Sequence, residues 1–328
     1  MKILYEEDAH IDLIKEMSVA IIGYGSQGRA HALNLRDSGI RVFIGLREDS
    51  KSREEAEKAG FFVTTPANAA RIARFVMILI PDEVQGEFYK KELKDNLKKN
   101  ATLAFASGFA THFGLIEPRR DLDVIMIVPK TSGAVVRSEY VEGNGTLSFI
   151  AVHRDASGQA KDVALSYACA IGSGKAGIIE TTFEKECEAN LFGEQAVLCG
   201  GVIGLMKAGF ETLVGAGYSE ETAYIECVRN VKLIADLICK QGIADGMKRF
   251  VSSAAEFSGY VGAKRLISGS VKSEMKNILK EIQSGAFANR LINDYASGGR
   301  ELAAFRELYA EHPLEEVRVR LLRRREEQ

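Results

Sequence analysis

The feature that most constrains the fold is a glycine-rich turn that directly follows the apolar run Ser18–Ile22 and precedes a helical segment. The turn reads Gly23, Tyr24, Gly25, Ser26, Gln27 and Gly28. In a strand–turn–helix unit the first glycine permits a tight turn, the second lets a pyrophosphate approach the backbone, and the third allows close helix packing. The amino end of the helix adds unpaired N–H groups and a partial positive charge. The turn therefore predicts a dinucleotide-binding domain.

Short apolar runs alternate with helical segments over the first half of the chain. The predicted strands are Ser18–Ile22, Arg41–Gly45, Phe75–Ile80, Thr102–Ala106, Asp123–Val128 and Ser148–Val152. The predicted helices between them include Gln27–Ser38, Ser52–Ala59 and Glu83–Leu97. Near-continuous apolar strands separated by helices are typical of a parallel sheet covered on both faces. We therefore predict a doubly wound α/β domain of the Rossmann type over residues 1–181.

Helical periodicity dominates from Thr181 onward, and no strand pattern follows it. The predicted helices are Phe183–Gly215, Ser219–Gln241, Met247–Gly259, Val271–Ser284 and Ala286–Ala296. Glycines at positions 200, 201 and 204 each cost about 1 kcal/mol against alanine within a helix, so we expect close helix packing to offset that cost. Residues 182–328 are predicted to form an all-helical domain.

The composition favours a cytoplasmic protein whose ligand is a small molecule. Lys+Arg 43 against Asp+Glu 45 suggests neither a nucleic acid nor a membrane surface as partner. The longest apolar run, Ala196–Met206, is 11 residues and falls short of a bilayer span. Five scattered cysteines without CxxC spacing indicate a reducing compartment.

The end of the second predicted strand bears on which dinucleotide binds. An acidic residue at this point would hold the ribose hydroxyls of NAD, but Arg47 comes first and Ser50 and Ser52 follow. A guanidinium and two hydroxyls suit a 2′-phosphate. Glu48 and Asp49 keep the NAD alternative open, and we predict NADP(H).

Two pairs of side chains in the helical half stand four residues apart, so each pair lies on one helix face. The pairs are Asn190 with Glu194, and Glu226 with Asn230. One carboxylate and one amide in each pair look like a metal site with half of its charge removed. An amide oxygen coordinates Mg²⁺ without charge and bridges two ions poorly.

Several motifs closely resemble those of ketol-acid reductoisomerases of the short, class I type, over nearly the full length of the chain. They are Gly23–Gly28, Ile80–Gln85, Leu191–Gly201 and Lys207–Leu213, with shorter matches at His112–Gly114, Asp123–Met126 and Glu180–Phe183. The resemblance implies a Rossmann domain followed by a knotted helical domain that pairs with a second subunit. It also implies NADPH and two Mg²⁺, isomerisation of 2-acetolactate, and reduction of the resulting 2-keto acid in branched-chain amino-acid synthesis.

The strand-end analysis and the resemblance together assign site residues. Predicted cofactor contacts are the glycine turn, Arg47, Ser50, Ser52, Pro81, Asp82, Gln85 and Gly133. Glu194 and Glu226 match family metal ligands, whereas Asn190 stands where the family has a bridging Asp and Asn230 where it has Glu. We therefore predict no two-metal site and leave open a single, weaker Mg²⁺ at Glu194 and Glu226.

Other departures surround the same cavity. Ser107 replaces a family His near the nicotinamide, while Lys130 and the substrate-binding Ser252 are retained. Because alkyl migration relies on two metal ions and hydride transfer does not, the favoured hypothesis is an NADPH-dependent reductase of an imine or keto group on a small polar substrate. Glu194, Glu226 and Lys130 are the predicted catalytic residues, and Asn190, Asn230, Ser252 and Ser107 the predicted substrate contacts.

Two alternatives stay open. The first is an authentic ketol-acid reductoisomerase that converts 2-acetolactate into 2,3-dihydroxy-isovalerate. The second is a non-catalytic cofactor-binding protein. In each case we expect a homodimer or higher homo-oligomer, and for an enzyme the active site is predicted to be shared between subunits.

Overall fold

The computed structural model describes residues 2–326, with side chains to residue 322. The chain divides into two compact units, Met1–Ala189 and Asn190–Gln328. The first unit is built on one sheet, and the second consists of helices.

Nine strands form the sheet of the first unit. They are β1 (Ile3–Leu4), β2 (Val19–Ile22), β3 (Val42–Gly45), β4 (Phe62–Thr64), β5 (Phe75–Ile78), β6 (Thr102–Phe105), β7 (Asp123–Pro129), β8 (Ser148–Arg154) and β9 (Ile178–Glu180). Their order across the sheet is β1-β9-β8-β7-β6-β5-β2-β3-β4. All six predicted strands are present to within two residues, whereas β1, β4 and β9, of two or three residues each, are too short for periodicity to reveal.

The helices of this unit are α1 (Asp12–Lys15), α2 (Ser26–Asp37), α3 (Arg53–Lys58), α4 (Pro66–Ile72), α5 (Asp82–Phe88), α6 (Phe109–His112), α7 (Gly133–Glu142), α8 (Ala160–Ala170) and the first part of α9 (Phe183–Phe192). Two 3₁₀ turns, Glu6–Asp8 and Ser173–Lys175, and a π-helical segment, Tyr89–Leu93, complete it. The single helix predicted over Glu83–Leu97 is therefore α5 followed by the π-helical segment.

The sheet is mainly parallel, as predicted, and the strands around the glycine turn all pair in parallel, but two pairings elsewhere are antiparallel. Strand β8 runs antiparallel to β7, and β1 runs antiparallel to β9. The reason lies in the β7–β8 connection. Its helix α7 packs on α2, and the chain enters β8 at the same edge where β7 ends, with Pro129 opposite Ser148.

Both faces of the sheet are buried. Along β2, Val19 and Ile21 belong to one hydrophobic cluster, while Ala20 and Ile22 belong to the other. Because successive side chains of a strand point to opposite faces, this alternation shows that helices cover the strand on both sides. The prediction of a doubly wound domain is confirmed in this respect.

The second unit is helical, as predicted. After α9 come a π-helical segment (Gly193–Val202), α10 (Ile203–Gly215), α11 (Glu220–Tyr224), a π-helical segment (Ile225–Arg229), α12 (Val231–Gln241), α13 (Ile243–Phe250), α14 (Ser253–Leu266), α15 (Gly269–Gln283), α16 (Ala286–Ala296), α17 (Arg300–Ala310) and α18 (Pro313–Glu326).

The helix predicted over Phe183–Gly215 is present, and it is both long and apolar. Phe183–Gly215 is continuous over 33 residues, its most apolar window has a mean hydropathy of 1.5, and 6% of that window is buried. By length and composition alone it is the one helix of the described residues that could cross a bilayer. The 11-residue apolar run is therefore only part of a longer apolar helix, which by itself is weak evidence for a membrane span.

Candidate functional site

The glycine turn lies at the carboxyl end of β2, and each glycine is required for a different reason. Gly23 has φ +100°, a left-handed value that other residues rarely adopt. A Cβ at Gly28 would lie 2.2 Å from the Gly23 carbonyl oxygen. Around a Cβ at Gly25, by contrast, no described atom lies within 4 Å. The turn is therefore closed against the sheet and open at Gly25, the residue that precedes α2.

The open side of the turn fits a pyrophosphate. The first N–H groups of α2 have no carbonyl within the helix to bond, and they point outward at its amino end. Gly25 places no side chain in front of them. The residues present therefore fit a dinucleotide, and they would hold its phosphates by backbone N–H groups.

Helix α7 packs against the other side of the turn. Gln27 Nε2 donates to the Thr131 carbonyl at 2.8 Å. A Cβ at Gly133 would lie 2.1 Å from the Ser26 carbonyl oxygen, so only glycine permits this approach. Gly133 thus supports the turn as a packing residue.

The Tyr24 ring packs into the core, so only the main chain of this residue is available in the turn. Its side chain is buried, its ring lies edge-on to Phe61 with centroids 6.0 Å apart, and burial raises the pKa of Tyr24. The hydroxyl has no hydrogen-bond partner among the described residues. Tyr24 can therefore meet a cofactor only through its main chain.

The predicted 2′-phosphate contacts follow β3, the immediate neighbour of β2, with Gly45 paired to Ile22. The Arg47 side chain is 76% exposed, and its Nε lies 3.7 Å from Asp49 Oδ1. Ser50 and Ser52 adjoin it, the Ser52 N–H donating to Ser50 Oγ at 3.4 Å. The Arg47 guanidinium and the hydroxyls of Ser50 and Ser52 thus lie beyond the end of β3, next to the strand that leads into the glycine turn. The Asp49 carboxylate lies beside the guanidinium.

A linked polar group lies at the ends of β5 and β6. Gln85 Nε2 donates to Asp82 Oδ1 at 3.0 Å and to the Ile80 carbonyl at 2.9 Å. Ser107 Oγ donates to Asp82 Oδ2 at 3.3 Å and accepts the Phe109 N–H at 3.1 Å. Three of the predicted residues, Asp82, Gln85 and Ser107, are therefore linked by hydrogen bonds, and Pro81 immediately precedes them at the start of α5.

Lys130 follows β7 at the same edge and is paired with Glu186, which sequence reasoning missed. Lys130 Nζ lies 3.1 Å from Glu186 Oε1, and Glu186 Oε2 accepts the Gly108 N–H at 3.4 Å. Glu186 is 4% exposed. A signal was available in the sequence, because Glu186 shares a helix face with Phe183 and Cys187, both buried.

In the helical unit, Glu226 and Asn230 lie on one face as their spacing predicts. Asn230 Nδ2 donates to Glu226 Oε2 at 3.3 Å. Glu194 lies in the π-helical segment Gly193–Val202, and Glu226 lies in the segment Ile225–Arg229. Insertion of π-helical turns is frequent at functional sites, because it shifts side chains off the regular α-helical positions.

Ser252 has a structural partner. Its hydroxyl accepts the Ala255 N–H at 3.2 Å and caps the amino end of α14. N-capping of this kind stabilises a helix by about 1 kcal/mol. A substrate bound by Ser252 would therefore have to contact a hydroxyl that already accepts the Ala255 N–H.

These donors do not fit a two-magnesium site. Two carboxylates and two amides stand where the family resemblance implies four carboxylates, and the Asn230 amide nitrogen donates to the Glu226 carboxylate. Among residues 2–326, no group of three or more His, Cys, Asp or Glu is arranged to hold a metal ion.

A mixed but mainly parallel sheet with a glycine turn at its carboxyl edge, followed by helices, defines a dinucleotide-binding protein. Residues 13–177 match the family described as "Acetohydroxy acid isomeroreductase, NADPH-binding domain". Residues 183–327 match "Ketol-acid reductoisomerase, C-terminal domain". The chain belongs to the ketol-acid reductoisomerase family.

Solved structures agree with this assignment. An NADH-preferring ketol-acid reductoisomerase from an uncultured archaeon is 42% identical, with 98% of this chain and 99% of that chain covered and a TM-score of 0.95. A pyrroline-5-carboxylate reductase from Coxiella burnetii is 19% identical, with 83% of this chain and 98% of that chain covered and a TM-score of 0.57. The latter likeness shows the fold alone.

Proposed function

We propose that this protein carries out ketol-acid reductoisomerase chemistry, and that its residues support the NAD(P)H-dependent reduction of a small 2-keto acid most directly. The observation that carries the proposal is the meeting of three groups at one sheet edge. They are the open glycine turn at Gly25, the Asp82–Ser107 hydrogen bond and the Lys130–Glu186 ion pair. Parallel strands place ligands at this edge.

The complete family reaction is the better supported of the two catalytic hypotheses that the sequence left open. Identity of 42% over 98% of the chain favours it over a separate imine reductase. The imine hypothesis has only fold-level likeness to pyrroline-5-carboxylate reductases, at 13–19% identity. We therefore rank 2-acetolactate first among candidate substrates.

Reduction without isomerisation is a second candidate, favoured by Asn190 and Asn230. Isomerisation needs a hydroxyl ionised beside a polarised ketone, which two metal ions accomplish together. With two carboxylates in place of four, the charge that offsets the repulsion between two dications is halved. The reductive step makes no such demand on the site.

Two substrates distinguish these candidates. Purified protein is assayed by NADPH and NADH oxidation with 2-acetolactate, and separately with the rearranged 2-keto acid, each with and without Mg²⁺. Turnover of both identifies a complete ketol-acid reductoisomerase. Turnover of the rearranged acid alone identifies a reductase without isomerase activity, and turnover of neither contradicts both.

We also propose that the helical unit is completed by a second copy of the chain. Many of its large apolar side chains lack cover within one chain, including Leu198, Leu233, Ile243, Phe257 and Leu266, each more than 60% exposed. Monomeric soluble proteins rarely expose so much apolar surface together. A dimer interface accounts for the long apolar helix Phe183–Gly215 without a membrane, and a cytoplasmic location remains a prediction.

Light scattering after gel filtration tests the assembly. The expected mass is at least twice 35.9 kDa. Leu198→Lys is expected to weaken assembly, whereas Val141→Lys, at an equally exposed position of the first unit, is expected to leave it unchanged. A monomer in detergent-free buffer, or protein recovered only with membranes, would contradict the proposal.

A further inference from the structure

A basic pocket lies at the amino edge of the sheet, opposite the edge that carries the glycine turn. It is formed by the π-helical segment Tyr89–Leu93 with the residue that follows, and by the loop that leads into β7. Its volume is about 290 Å³. The polar residues that line it are Tyr89, Lys90, Lys94, Glu117, Arg119 and Arg120.

Arg119 holds the pocket together. Its guanidinium donates to the carbonyls of Lys94 at 2.8 Å and Leu97 at 2.9 Å. It also pairs with Asp121 at 2.7 Å, which raises the pKa of Arg119 and lowers that of Asp121 to about 2. The charge of Arg119 is thus already balanced, and its role is to fix the π-helical segment against the loop.

The loop is fixed from a second side. Arg154 Nη1 donates to the carbonyls of Pro118 at 2.9 Å and Arg119 at 2.7 Å. The pocket wall is therefore set by hydrogen bonds of two arginines before any ligand arrives.

Three cations remain at the mouth of the pocket. Lys90, Lys94 and Arg120 are exposed, and within the described residues none of them has an ion-pair partner. Glu117 is the single carboxylate of the lining. The local balance is therefore strongly positive in a chain whose net charge is −2. Such a concentration of one sign of charge in a concave site attracts anions.

Tyr89 supplies a donor at the base of the same pocket. The residue is 2% exposed, and its hydroxyl accepts the Arg119 N–H at 3.2 Å. Within the described residues this hydroxyl has no acceptor for its own proton. Burial raises the pKa of Tyr89, so the hydroxyl stays protonated at neutral pH. A buried O–H donor is costly to leave unpaired, which favours an anionic acceptor in the pocket.

We propose that this pocket binds the phosphate group of a small phosphorylated metabolite, with Tyr89 donating to one oxygen and Lys90, Lys94 and Arg120 surrounding the others. A phosphate offers three acceptor oxygens and nearly two negative charges, which matches one hydroxyl and three cations better than a single carboxylate does. The volume suits a compact molecule. Because the pocket lies at the opposite sheet edge, the ligand acts apart from the dinucleotide.

Calorimetric titration of the full-length protein with inorganic phosphate tests the proposal, at constant ionic strength and with and without saturating NADPH. The pocket is expected to keep one saturable phosphate site in the presence of NADPH, whereas phosphate bound at the glycine turn would be displaced. The readout is phosphate binding, so it does not depend on turnover. Failure of the proposed enzyme activity therefore leaves this result interpretable.

Variants locate the site. Lys90→Gln with Lys94→Gln and Arg120→Gln is expected to weaken phosphate binding at least about tenfold, and Tyr89→Phe by about tenfold, since each removes a hydrogen bond to a charged acceptor. Lys99→Gln, at an exposed lysine outside the lining, is the matched control and is expected to bind as the wild type does. Absence of saturable binding, or equal affinity in the triple variant, would overturn the proposal.

Discussion

Glu186 and Lys130 form an ion pair at the carboxyl edge of the sheet, although 56 residues separate them in sequence. The Glu186 carboxylate also accepts the Gly108 N–H, so it joins the end of β7 to the β6–α6 turn. Lys130 is 27% exposed and Glu186 nearly buried, so the ammonium is the member of the pair that faces the open side. This arrangement leaves the Lys130 ammonium accessible at the sheet edge.

Glu186→Gln is expected to lower stability and turnover together. The substitution leaves the Lys130 charge without its carboxylate, which should cost about 2 kcal/mol of unfolding free energy for a partly buried pair. Dinucleotide affinity should change little, because the glycine turn lies elsewhere on the edge. Urea unfolding and steady-state kinetics measure these effects. Glu184→Gln, exposed on the same helix, is the control, and equal effects of the two would contradict a positioning role.

Gly25→Ala is expected to separate binding from folding. Its backbone angles, φ −80° and ψ −161°, are open to alanine, so the fold should be retained. The added methyl group stands where the pyrophosphate approaches, and NADPH affinity should fall about tenfold or more. Gly133→Ala should instead destabilise the unit by about 2 kcal/mol, because its Cβ meets the Ser26 carbonyl. Fluorescence titration and thermal unfolding distinguish the two, and unchanged NADPH affinity in Gly25→Ala would place the cofactor elsewhere.

Arg47→Gln is expected to shift the dinucleotide preference toward NADH. If Arg47 contacts a 2′-phosphate, its loss should weaken NADPH about tenfold and leave NADH nearly unchanged. The ratio of kcat/KM for the two dinucleotides measures this preference. Arg71→Gln, at an exposed arginine on α4, serves as the control. An unchanged ratio would contradict a 2′-phosphate contact by Arg47.

Asn190→Asp with Asn230→Glu is expected to create measurable Mg²⁺ binding. The two changes restore the four carboxylates that the family resemblance implies, and they remove the donor that now faces Glu226. Calorimetry with MgCl₂ and turnover of 2-acetolactate measure the gain. Asn277→Asp with Asn289→Glu adds the same charge at exposed positions as a control. No gain over that control would mean that these helices do not converge on a metal site.

Stability is expected to fall as the pH drops below about 6.5, owing in part to His31. This residue is buried beside Tyr167, with Nδ1 2.9 Å from the hydroxyl, and burial lowers the pKa of His31 from 6.5 to about 3. The unfolded chain therefore takes up the proton first. The neutral histidine's contribution is present above pH 6.5 and is lost as the pH falls toward 3, by up to about 1.4 kcal/mol per pH unit.

Unfolding of wild type and His31→Gln across this pH range measures that contribution. The variant should be less stable at neutral pH but show a shallower loss on acidification. His10→Gln, at an exposed position, should keep the wild-type slope. Equal slopes in all three proteins would show that His31 is not the group that responds.

Much of the cofactor half was predictable from local sequence, because strand and helix periodicity and the glycine spacing are properties of neighbouring residues. Position 23 needs glycine because its φ is positive, and position 28 needs glycine because it lies against the Gly23 carbonyl. Both requirements fall within one six-residue motif. The four-residue spacing of Glu226 and Asn230 likewise predicted that they share a helix face, where the structure joins them by a hydrogen bond.

The sequence by itself determined the dinucleotide turn, the helical second half and the family, because each follows from short motifs and their order. Only the tertiary structure decided that β8 runs antiparallel to β7, that Glu186 pairs with Lys130, and that Tyr89 and Arg119 meet in a basic pocket. These contacts join residues that are 19 to 56 positions apart at their closest approach along the chain. Such pairings depend on how the sheet and its helices pack as a whole, which no local pattern specifies.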